Sequence, residues 1–292
     1  MSGKQIGSGV VTGILMLGAA QAYANGVAVP DVALSTTQPA GLNNVNFEDD
    51  ALVGYDPVTN FAVQLFDLAD EFGIARDLDA AHELPNGDLI VSTQAGGTFG
   101  GLTFTESDLL ELDRVNGTAS VFLDASAIGL TGLNNTVPNI NAVHVRADGT
   151  VLFSTASNDG VTLGGNTFSK DDVIAYDPVG GTANLFFDGS LITGGEPDLL
   201  AFAEIDADHV LLAASNEGSS TSGLLTLGGL TFSRDDLVLY NTANNTSTLF
   251  LEGLVEFDNP GEIIDAVTPA VVPEPNAAAL LGLVGLAALR RR

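Results

Sequence analysis

The 292-residue chain contains no cysteine. That excludes disulfides, a thiol nucleophile and a zinc–thiolate cluster, so folding rests on core burial, with or without a bound metal. Tryptophan is also missing and tyrosine occurs only four times, which removes the usual aromatic platforms for stacking on sugars. Positive charge is scarce, with nine Lys and Arg against 37 Asp and Glu. Apart from the two chain ends, the bases are Arg76, Arg114, Arg146, Lys170 and Arg234, scattered singly. Nucleic acid is thereby excluded as a partner, because phosphate binding needs clustered Lys and Arg. The acidic excess suits solubility in salt, divalent cations or a cationic matrix, and it carries a cost in self-repulsion at low ionic strength.

Catalytic signatures are equally thin. There is no H-E-x-x-H and no G-x-S-x-G, and the glycine pairs Gly100-Gly101, Gly164-Gly165 and Gly228-Gly229 precede strands without a lysine, which argues for tight turns over phosphate cradles. His209 sits in a turn, while His82 and His144 occupy equivalent positions of a repeat, which speaks for shared packing.

That repeat organises the middle of the chain. Phe104, Phe168 and Phe232 each open a copy of one pattern, ending at Asp113, Asp177 and Asn241, and Phe47 to Asp56 is a fourth copy. Each continues through a turn into a second strand, at Val63–Asp67, Val121–Asp124, Leu185–Asp188 and Leu249–Glu252. Between copies lie hairpins: Leu78 to Thr93 about Asn86-Gly87, Ile140 to Thr155 about Asp148-Gly149, and Leu199 to Ala214 about Asp206 to Asp208. Asn-Gly and Asp-Gly supply the positive φ values that tight hairpins demand. Four short strands recur in about sixty residues, the composition of a β-propeller blade. Asp31–Thr36 matches a second strand with no first strand before it, and Glu262–Val267 is a first strand with no second after it. The expected fold is therefore all-β: a four-bladed β-propeller over residues 25–269, closed by pairing of these N- and C-terminal strands. The inner strands fall near residues 78, 140, 199 and 263.

The ends carry sorting signals. Lys4, the apolar stretch from Gly9 to Ala20 and the Ala22-Tyr23-Ala24 triplet describe a secretory signal peptide over residues 1–24, cleaved after Ala24. Residues 270–292 hold Val272-Pro273-Glu274-Pro275, then an apolar run from Ala277 to Leu289, then Arg290, Arg291 and Arg292. A thirteen-residue helix reaches about 20 Å against a hydrocarbon core of roughly 30 Å, a weak anchor, and the arginines keep the C-terminus on the cytoplasmic side. Small residues, spacer and removable apolar tail follow the logic of a GPI signal. This three-part tail resembles the PEP-CTERM tail of Gram-negative bacteria. The resemblance implies processing by an exosortase, a passage through the membrane and residence in the envelope or extracellular matrix, in association with exopolysaccharide, biofilm or other matrix proteins.

Two sets of acids are candidate cation ligands. Three and four residues past each repeat phenylalanine stand Asp50, Asp108, Asp171 with Asp172, and Asp235 with Asp236. Calcium takes six to eight oxygen ligands, and these acids lie beside Gly-rich loops with free carbonyls; equally, aspartates here could cap loop amides. The second set opens the inner strands: Asp79, Asn141 and Asp265, with Leu200 at the fourth position. Carboxylates converging there repel one another unless a cation binds or one is protonated. The expectation is thus an exported, non-catalytic envelope or matrix protein, with Ca2+ as its candidate cofactor. The alternatives are a calcium-dependent carbohydrate- or protein-binding propeller and a calcium-dependent propeller hydrolase.

Overall fold

The computed structural model describes residues 30–132, 135–156, 160–216, 223–259 and 261–270. The signal peptide, the Val272–Pro275 motif, the apolar run and Arg290 to Arg292 lie outside the described residues, and so do Asn158 and Asp159 of one Gly-rich loop. Among the described residues no helix is long and apolar enough to cross a membrane.

The described chain is all-β, built on four antiparallel sheets of four strands. The second sheet runs Leu78–Glu83, Leu89–Thr93, Leu109–Asp113, Thr118–Leu123, and its neighbours in the sheet are also its neighbours in sequence. The third (Ile140–Val145, Val151–Thr155, Val173–Asp177, Thr182–Phe187) and the fourth (Pro197–Glu204, His209–Asn216, Leu237–Asn241, Thr246–Leu251) repeat it. The first sheet takes its inner strand, Ile264–Pro269, from the far end of the chain and adds Val32–Thr36, Ala51–Asp56 and Phe61–Asp67. The orphan C-terminal strand and the orphan N-terminal one are therefore partners, with Val32 opposite Pro269 and Leu34 opposite Val267.

Strands buried on both faces need continuous apolar runs instead of alternation. Val151-Leu152-Phe153 and Val210 to Ala214 have them, each residue at most 1% exposed. One face of each sheet packs on the preceding sheet and the other on the next. Leu52 and Phe66 of the first sheet share a core with Val91 and Leu110 of the second; Ile90 meets Phe153 of the third; Leu152 meets Phe202 and Leu212 of the fourth. Leu211 and Leu237 of the fourth pack in turn on Leu34 and Val53 of the first. The inner strands contact one another in the same order, the C-terminal strand touching both Leu78–Glu83 and Pro197–Glu204.

Between the second and third strand of each sheet the chain makes a small hairpin excursion, for example Gly97–Phe99 with Leu102–Phe104. The glycine pairs turn these hairpins: Gly164 and Gly165 have φ of 60° and 84°, and Asn43 and Asn44 do the same work in the first copy at 48° and 65°. Two consecutive residues at positive φ are the signature of a type I′ turn, which Asn tolerates better than other non-glycine residues. A short helix, Leu68–Phe72, follows the last strand of the first sheet, capped by Asp67 and ended by Gly73 at φ 67°.

Candidate functional site

Each inner strand carries the same irregularity. Leu78 pairs with Thr93 and Ala80 with Ser92, so Asp79 is skipped. Asn141 is skipped between Ile140 and Ala142, and Leu200 between Leu199 and Ala201. Asp265 is skipped between Ile264 and Ala266. A bulge residue leaves the ladder and its side chain is re-aimed. The four equivalent positions of the sequence repeat are thus four bulges, two of them acidic and on strands that touch.

A third acid joins them. Asp77 lies just before its strand, where its carbonyl accepts from the Gln94 amide; Asn139 holds the equivalent place with Ala156, and Ile263 with Thr37. Ligand oxygens of Asp77, Asp79 and Asp265 all lie within 4.8 Å of one another. The three residues are 9%, 8% and 3% exposed. Asn139 donates through Nδ2 to Asp79 Oδ2. The Oδ1 atom of Asp77 and both oxygens of Asp265 are buried and accept no hydrogen bond. Between two carboxyls only a proton on one of them could supply a donor.

Burial and like charge set the electrostatics. Desolvation first, and the Asp79 charge second, push the Asp77 carboxyl up to about 7. Desolvation raises Asp79 to about 6 against the hydrogen bond from Asn139. Asp265 is raised by its burial and then by Asp77 and Asp79. Three carboxyls in one buried place must take up protons or share a cation. Chemically, such a cluster can hold a hard cation through oxygen ligands.

Farther along the same strands, about 10 Å from the acids at the rise of a β-strand, the polar groups are of another kind. His82 and His144 pack edge to face, ring centres 4.6 Å apart. Burial, and after it the neighbouring His144, lowers His82 to about 3; burial, and after it Arg146, lowers His144 to about 4. Both rings are therefore neutral near pH 7. Arg146 closes this end with two hydrogen bonds of 2.6 Å to Glu204, its guanidinium stacked over Phe186.

The loop acids are placed differently. Asp172 accepts from the Ser169 amide and hydroxyl and from the Gly189 amide at 2.8 to 3.0 Å. Asp236 repeats this with Ser233 and Gly253. Asp108 takes the Thr105 amide and hydroxyl, and Asp50 the Ala69 amide. Asp235 accepts from the Ser233 hydroxyl. The backbone of Asp171 lies so close to Gly189 that a Cβ there would come within 2.2 Å of its carbonyl oxygen. Asp50, Asp172 and Asp236 tie the start of the third strand to the segment after the fourth, while Asp108 and Asp235 bond within their own turn. The structure brings together Asp79 and Asp265 of the residues singled out from sequence, and adds Asp77. The signal that could have found Asp77 is its alignment with Asn139 and Asp198, polar residues two places before each bulge.

No protein-family model and no curated protein matches the chain. Among solved structures it is similar to a Bacteroides caccae protein of unknown function, at 9% identity over 84% of this chain and 100% of the other, with a TM-score of 0.41. A second is YCF48 bound to a D1 peptide, at 10% identity, covering 70% of this chain and 50% of the other, TM-score 0.32. A third is a "putative gluconolactonase", at 14% identity over 74% and 77%, TM-score 0.36. These are likenesses of overall shape at low identity. The expectation of a non-catalytic chain is withdrawn: a protein described as a gluconolactonase stands among the similar structures, at an identity and a TM-score that assign this chain no activity.

Proposed function

We propose that this chain is an exported protein of the cell envelope or extracellular matrix, a closed four-bladed β-propeller delivered by a signal peptide and processed at its tail by an exosortase. The single observation that supports it best is the pairing of Val32–Thr36 with Ile264–Pro269. In this reading that pair closes the ring, supported by the packing of the fourth sheet back onto the first, and both ends of the described chain leave from one sheet. A closed ring also removes exposed strand edges, which suits an acidic protein in a crowded matrix. Association with exopolysaccharide, biofilm or other matrix proteins follows from the resemblance of the tail.

The test is fractionation of cells that express the full chain or a chain ending at Ala270. Retention of the first in the envelope and loss of the second to the medium is the expected result. Identical fractionation of the two would remove the sorting role and leave the ring untouched.

A further inference from the structure

We propose that Asp77, Asp79 and Asp265 bind one divalent cation of the calcium class, and that this cation clasps the C-terminal strand to the second sheet. The geometry fits the ion. Two oxygens held 2.3 to 2.6 Å from one calcium lie at most about 5 Å apart, and the ligand atoms of the three acids all fall within 4.8 Å of one another. Hard oxygen donors exclude a preference for soft metals.

Clustering of acids alone does not make a site, and the second observation is Asp265. It is 3% exposed, yet neither of its oxygens meets a donor. A buried loop aspartate such as Asp172 has the Ser169 amide and hydroxyl and the Gly189 amide to accept from. Asn139 meets the cluster through Nδ2, which donates to Asp79 and leaves the other acids without a donor from it. Basic residues do not fill the role, because Arg146 is engaged by Glu204 and Arg114 by Glu71.

The consequence lies in where the ligands come from. Asp79 lies on, and Asp77 just before, the first strand of the second sheet, whereas Asp265 belongs to the strand that completes the first sheet from the far end of the chain. Without a cation the three carboxyls must take up protons or repel one another across these two strands. With one, the strand is held on two sides: by its ladder to Val32–Thr36 and by the shared ion. Calcium concentration thereby sets how firmly the segment next to the tail is docked. Exported surroundings supply this ion at far higher levels than the cytoplasm, so docking tightens after export.

The experiment uses the full chain in non-ionic detergent, stripped with EDTA and titrated with Ca2+ at fixed ionic strength, with Mg2+ and Na+ as comparison ions. Calorimetry reads binding, thermal unfolding reads stability, and hydrogen exchange reads the Ile264–Pro269 amides. The expected results are one saturable Ca2+ site and a Tm rise of about 5 to 10 °C at one hundred times Kd, with at least tenfold slower exchange in that strand. Asp265→Asn, which keeps the shape and loses the charge, abolishes all three and in EDTA melts above the native chain. Asp79→Asn serves as the second variant. Absence of saturable binding, or binding that survives both substitutions, overturns the site. A lower melting point for Asp265→Asn in EDTA overturns it too, since the carboxylate would then have been structural. Binding lost in the variants with exchange unchanged in the native chain overturns the clasp and leaves the site standing.

Discussion

Asp172 and Asp265 are the same residue type, both buried, in one repeat protein, yet they stand in opposite situations. The loop acids sit where the chain turns into its third strand, and the amides of that turn and of the loop after the fourth strand point at them; Asp172 and Asp236 each collect three hydrogen bonds. The inner-strand acids sit on bulges, where backbone amides face the ladder and the side chain faces other side chains. Burial therefore does not separate a structural carboxylate from a candidate ligand. What separates them is the count of donors that reach it.

Removing a loop acid breaks the comparison most violently. Asp236→Ala leaves the Ser233 and Gly253 amides without their acceptor and costs about 2 to 4 kcal/mol; urea unfolding would show it, and a loss under about half a kcal/mol would erase the distinction between the two sets. Neutralising an inner acid has the opposite sign. Asp77→Asn, measured in chelator near pH 7, relieves repulsion in a buried cluster and stabilises by about 1 to 2 kcal/mol, the size of a shift of one pKa unit or somewhat more. A destabilised variant would mean that Asp77 is held by donors as the loop acids are.

The smallest effect sharpens the contrast along the inner strands. His82 and His144 have folded values below the ordinary 6.5, so the fold favours their neutral forms. Their contribution is complete above about pH 6.5 and is lost as the pH falls through the folded values, at up to about 1.4 kcal/mol per pH unit for one ring. Asp77 and Asp79 run the other way: their raised values make the folded state bind more protons, so what they add on acidification fades as the pH rises through about 6 and 7. His82→Phe keeps a ring against His144 and should flatten the acid limb of the stability profile relative to the native chain. Parallel profiles for the two proteins would show that His82 is charged in the fold.

Repetition made the architecture legible. Four spaced phenylalanines, three hairpin turns and two orphan strands are features shared by copies, and sharing is what alignment within one chain detects. The first copy hid its excursion turn because Asn43-Asn44 does with side-chain-tolerant residues what glycine pairs do elsewhere, and the helix at Leu68–Phe72 escaped because it and its counterparts at Gly189–Leu191 and Gly253–Glu256 are only three to five residues long. The acid cluster was only half legible for the same reason. It is assembled from departures: an acid where another copy has Leu200, and another where a fourth copy has Ile263. Asp77 belongs to no strand and gains its meaning only when Asp265 arrives from nearly two hundred residues away. Long-range meeting of this kind leaves no local spacing to read.

The antiparallel match of Val32 with Pro269 has one more implication. Paired residues in such a ladder lie about 5 Å apart, so a few residues could join Pro269 directly to Val32 while a new opening is made near Arg76, between the first and second sheets. That circular permutant would encode every sheet as one contiguous stretch of chain. Its contact order would fall, and with it the entropic delay before productive folding: the protein would no longer have to wait for its last strand to finish its first sheet.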